Sequence, residues 1–291
     1  MKTTLQTILP ITLILIGLLI DGCKKREDLS FEASTSNSEA FSVFDDVSNV
    51  IDEAASEQPD LNKLEVGSWA LQTASCASVT LEPLGADFPK TLTIDFGGGC
   101  QGIDGRHRSG QIICEFTGLY RNEGTVTTVD LQNYELDNYQ VEGHKVITNQ
   151  GDNSDGNPYF TIEVTGASVT SQEGTATWSS DRIRTWTEGS NTNWFTTDTT
   201  QPLGIMGLNG ILDDIYQVEG TAEGTTRQGV PYTIVITSPL EVQVGCRWIK
   251  AGTLVISPQN LNDRTIDYGT GTCDNSATVE VNGDTYGFTM W

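Results

Sequence analysis

The residues best suited to hold a ligand are Trp178, Ser180, Arg182, Arg184 and Trp186, which recur at every second position of one segment. Side chains alternate across a strand, so these five share a face if 175–186 is a single strand. Two indoles bracketing two guanidiniums make a flat, amphipathic platform suited to stacking on sugar rings or docking an acidic ligand. Trp194 in the following loop could join it. The competing reading is an internal cation–π ladder that stiffens an exposed sheet face, because arginine over tryptophan is a common arrangement.

Other groups offer less. Asp213-Asp214 precedes a strand and reads as a turn before it reads as a glycosidase pair, whose defining feature is separation in space. Asp152 to Asn157 is oxygen-rich like a calcium loop, which makes calcium the one cofactor the sequence suggests. Yet Gly151 stands where the first Asp of an EF-hand belongs and Ile162 where its Glu belongs, so a hairpin loop is the plainer reading. Only His107 and His144 are present, which excludes a His-rich metal site. Gly97-Gly98-Gly99 leads into Cys100 rather than a helix start, and no Gly-x-Ser-x-Gly occurs. No catalytic residue is assigned.

The chain has 291 residues, with 16 Lys and Arg against 39 Asp and Glu, a net charge of -23. Nucleic acid is excluded as a partner on that balance, since phosphate binding rests on Lys and Arg. Attraction to anionic lipid is excluded for the same reason. Six Trp, eight Tyr and nine Phe supply material for a packed core.

Residues 9–20 form an apolar run of signal-peptide length, too short to span a bilayer. Asp21-Gly22-Cys23 follows and resembles the cleavage site of a bacterial lipoprotein, with Asp21 departing from the usual small residue. The resemblance implies a signal peptide over 1–22 and lipid on Cys23, which with several acyl chains anchors a protein stably. Lys24-Lys25-Arg26-Glu27-Asp28 resembles the surface-export signal of Bacteroidetes lipoproteins and implies a surface-exposed position; a solvated linker is the plainer alternative.

Residues 23–37 read as a tether and 38–58 as an amphipathic helix. Ala40, Val43, Phe44, Val47, Val50, Ile51, Ala54 and Ala55 form the apolar stripe, Ser36 and Glu39 a capping box. Asp45, Asp46, Asp52 and Glu53 are expected on its solvated side. Residues 66–291 are short alternating runs separated by Gly, Asn and Asp, which predicts a mainly β body of antiparallel meanders forming a sandwich or strongly curved sheet. Tyr-Gln-Val-Glu-Gly occurs at 139–143 and again at 216–220; Thr-Ile-Asp-Phe-Gly at 93–97 returns as Thr-Ile-Asp-Tyr-Gly at 265–269. These recurrences suggest diverged copies of a meander.

The stretches Phe88 to Gly110, Tyr139 to Gly143 and Ile266 to Asn275 resemble uncharacterised β-rich lipoproteins of Bacteroidetes. That resemblance implies a cell-envelope location and brings no activity with it. Cys76 and Cys100 flank one Ile-Asp-aromatic-Gly strand and Cys246 and Cys273 flank the other, so two equivalent disulfides are expected. Cys114, alternating with Ile112 and Phe116, is expected buried and reduced. Zinc is the alternative, without its usual ligand spacing. The expected function is a lipid-anchored outer-membrane lipoprotein with a non-enzymatic, glycan- or protein-binding or structural role. Alternatives are a glycan or peptide hydrolase and a lipid or lipoprotein carrier.

Overall fold

Alternation of apolar and polar residues, interrupted by turn formers every eight to fifteen positions, commits the body to hairpins, as the sequence predicts. The computed structural model describes residues 30–62, 76–102, 104–190 and 214–291. The signal segment, Cys23, Trp194 and Asp213 lie outside the described residues. Within Glu32–Trp291, one unit, a helix α1 (Glu32–Ser56) and a single 3-10 turn (Pro59–Leu61) precede the strands. These are β1 (Ser78–Glu82), β2 (Lys90–Asp95), β3 (Cys100–Gln101), β4 (His107–Phe116), β5 (Val126–Leu136), β6 (Tyr139–Asp152) and β7 (Pro158–Ser171). β8 (Gly174–Glu188), β9 (Ile215–Thr225), β10 (Pro231–Gln243), β11 (Ala251–Pro258), β12 (Arg264–Thr270), β13 (Ser276–Val281) and β14 (Asp284–Thr289) complete them.

All pair antiparallel in one path from β1 to β14, with the short β3 attached to β4 alone, and the sheet is not closed. Of the two predicted architectures, the curved sheet is therefore the one adopted. Tight turns set the register: Asp137-Asn138 and Asn282-Gly283 have positive φ at both positions, the conformation that matches the twist of two-residue hairpins. Bulges interrupt eight of the strand pairings, and each bends its strand further.

The sheet bends around α1. No residue of this helix is exposed, and 18 of its 25 residues are buried. Val43, Phe44, Val47, Val50, Ile51 and Ala54 pack inward as expected. The helix also starts six residues before the expected boundary, so the tether reading fails over 32–37. Ser34, Ser36 and Asn37 are buried helical residues, and Ser36 caps nothing. Composition misled here because small polar residues, which usually mark linkers, let strands approach the helix closely.

The recurring segments do not form tandem copies. Along the sheet, β6 and β9 each stand one place outside the β7–β8 pair, and β2 and β12 each stand four places outside it. The sequence order is thus mirrored about that hairpin. What recurs is a local backbone device. Gly143 and Gly220, the last residues of the pentapeptides, both have positive φ and lie opposite bulges in β5 and β10. A Cβ on Gly220 would stand 2.2 Å from the carbonyl oxygen of Asp181, so only glycine fits. Likewise Asp95 accepts a hydrogen bond from the Gly97 amide at 2.7 Å, and Asp267 from the Gly269 amide at 2.8 Å.

The disulfides are those expected. Cys76–Cys100 and Cys246–Cys273 each join Cα atoms 5.8 Å apart, and Cys114 is free and buried.

Candidate functional site

β8 places Trp178, Arg182, Arg184 and Trp186 on one face, as the alternation predicts, but that face is the inner one. All four are buried beneath α1, with exposures of 4 to 7%. The platform for a glycan therefore does not exist. Phe44 of α1 stacks on Trp178 at 5.6 Å between centroids, and Arg182 lies between the rings of Phe41 (4.5 Å) and Trp178 (4.9 Å). Arg184 sits 3.6 Å from the centre of Tyr216, which stacks on Trp186, and Arg121 lies over the Trp186 ring at 4.3 Å. The cation–π ladder is real, and it is the seam between helix and sheet rather than a brace on an exposed face.

The acids of α1 complete that seam. Asp46, expected in solvent, is 8% exposed and takes Arg108 in a two-pronged contact, with Nε at 3.0 Å and Nη2 at 2.5 Å. Arg106 approaches the same carboxylate at 3.4 Å and Asp137 at 3.0 Å. Glu39 receives Arg227 Nη2 at 2.6 Å, and Asp52 accepts the hydroxyl of Tyr120. Lys145 donates to the carbonyl of Phe44 at 2.8 Å and to the Ser48 hydroxyl. Burial lowers its ammonium pKa to about 8, and burial lowers that of the Arg182 guanidinium to about 10. Burial also raises the carboxyls of Asp45 and Glu39. Sequence reasoning missed these partners, although Arg106 and Arg108 share the two-residue spacing of Arg182 and Arg184 that placed the latter on one face.

Charge is consequently sorted across the sheet. Of the eleven described Lys and Arg residues only Arg247 is exposed, against twenty exposed Asp and Glu. An open concavity of about 550 Å³ crosses β6 to β11, lined among others by Glu142, Ser168, Thr177, Glu223, Thr225 and Thr233. Ser168 contacts Glu142 there at 3.4 Å. Ala167, Trp178, Pro231 and Tyr232 share the lining, and two carboxylates with hydroxyls beside these apolar groups suit a cationic or polyhydroxyl ligand.

The other candidate groups make local contacts. Asn153 Oδ1 accepts the amides of Asp155 and Asn157, so the 152–157 segment is a hairpin held by its own side chain. No group of three or more potential metal ligands occurs among the described residues. Asp214 is buried at the start of β9, where its carbonyl accepts the Val244 amide. His144 meets Asp130 across β5 and β6 at 2.7 Å. Compared with protein families, with curated proteins and with solved structures, the chain matches none.

Proposed function

We propose that the chain is an exported lipoprotein, anchored to the outer membrane through lipid on Cys23, whose β body is a non-enzymatic recognition module for a basic protein surface. The sorting of charge carries this reading: α1 takes up the inner face, and the outside bears twenty exposed carboxylates with Arg247 as the sole exposed cation among the described residues. A field of one sign steers and selects a partner of the other. Two disulfides support passage through an oxidising compartment. The apolar run ending at Gly22-Cys23 supports a cleaved and lipidated amino end.

A neutral glycan is the second reading, favoured by the hydroxyls of Ser168, Thr177, Thr225 and Thr233 around the concavity. Full-length protein is expected in the membrane fraction and its Cys23→Ser variant in the soluble one. On immobilised panels, cationic peptides should retain the protein at low salt and release it at high salt, with retention weakened by Glu142→Gln and Glu223→Gln together. Retention on neutral glycans alone selects the second reading. No retention on either panel, or unchanged fractionation of Cys23→Ser, overturns the corresponding half of the proposal.

A further inference from the structure

A cavity of about 50 Å³ lies between the second half of α1 and strands β5 to β9. Its charged lining residues are Asp52, Arg121 and Arg184, one carboxylate against two guanidiniums. Arg184 is 6% exposed, and its Nε and Nη2 have no hydrogen-bond partner. The carboxylate of Asp52 stands 3.9 Å from Nη1, outside hydrogen-bond range, and is engaged by Tyr120. The ring of Tyr216 covers one face of the guanidinium and leaves its edge free. Arginine cannot shed its proton in a protein, so neutralisation is not open to it as it is to a buried lysine.

Arg121, which lines the same cavity, has an uncommon backbone. Its φ is 62°, in the left-handed region that a long side chain seldom occupies, and its guanidinium lies between Trp186 and Tyr120 at 4.3 and 5.2 Å. Lys145 adds a further buried cation one hydrogen bond away, through Ser48, which also lines the cavity, and Asp45 of α1 faces Lys145 and Arg184 with a carboxyl whose pKa burial raises, which leaves the cations in excess. Buried charge left unmatched is costly, as are buried donors left unpaired.

We propose that this cavity binds a small monovalent anion, of halide, nitrate or formate size, along the Nε and Nη2 edge of Arg184. The volume decides the class. At roughly 10 to 15 Å³ for one water-sized probe, it admits about three to five such bodies, whereas sugars and nucleotides take pockets of at least about 300 Å³. The bound anion takes up the Arg184 donors that the distant Asp52 carboxylate leaves unpaired.

Melting temperature of the full chain, measured at constant ionic strength, should rise saturably as gluconate is exchanged for bromide or nitrate. Arg184→Met should abolish the saturable rise. Asp52→Asn, which removes the competing carboxylate, should lower the half-saturating bromide concentration by about tenfold or more. Should Arg184→Met fail to fold, the Asp52→Asn comparison and the anomalous signal of a bromide-soaked wild-type crystal stand in its place. A bromide peak within hydrogen-bonding reach of Arg184 supports the proposal. Equal melting in all anions, or a crystal without that peak, means that only water occupies the cavity and overturns it.

Discussion

Asp46 of α1 and Arg108 of β4, 62 residues apart in sequence, meet through two hydrogen bonds of 3.0 and 2.5 Å in the interior of the protein. This fork fixes both the depth and the rotation of the helix within the curved sheet. Asp104 holds the other side of the same guanidinium at 2.5 Å, and the two carboxylates together keep Arg108 charged despite its burial.

Breaking the fork on one side should be severe, because the surviving charge stays buried. Asp46→Asn is expected to cost about 3 to 5 kcal/mol in urea unfolding, and the double change Asp46→Leu with Arg108→Met to recover part of that loss. Additive losses in the double variant would mean the pair does not act as a unit.

Trp186 belongs to the helix–sheet seam, so its loss should register as instability. Trp186→Ala is expected to lower the unfolding free energy by about 3 to 5 kcal/mol. A loss below about 0.5 kcal/mol, typical of surface positions, would place the indole outside the core.

Lys145 should leave a signature in the pH dependence of stability. Burial, with Arg184 nearby, depresses its pKa from 10.5 to about 8. The unfolded chain therefore binds this proton more tightly, and the contribution of Lys145 to stability rises with pH between about 8 and 10.5. Subtracting the Lys145→Met profile from the wild-type profile removes the titration of other groups. The difference should climb through that window and level off on either side; a flat or falling difference contradicts a depressed pKa.

Removing either disulfide should cost roughly 3 kcal/mol in the chain-entropy model, since each closes a loop of similar length. Cys114 should resist alkylation in the native protein and react once it is unfolded, as burial pushes its thiol pKa well above the usual range. Urea unfolding of the Cys76→Ser/Cys100→Ser and Cys246→Ser/Cys273→Ser variants checks the first point and peptide mapping after alkylation the second, and native-state labelling of Cys114 would refute its burial.

The sequence by itself determined the mainly β body, the single amino-terminal helix, both disulfides and the common face of Trp178, Arg182, Arg184 and Trp186. These are local matters: alternation assigns side chains to faces, and Cys positions around matching strands limit the pairing. Which face looks inward was decided by tertiary structure. An alternating strand states that two faces differ without saying which is covered, and here the covered face carries guanidiniums as well as apolar groups because α1 brings Asp46 to Arg108 and Glu39 to Arg227. For the same reason Asp46 looked like part of a solvated surface and Glu39 like half of a capping box. A carboxylate on a helix reads as exposed until its arginine is known, and that arginine arrives only when the sheet curves around the helix and brings in strands far away in sequence.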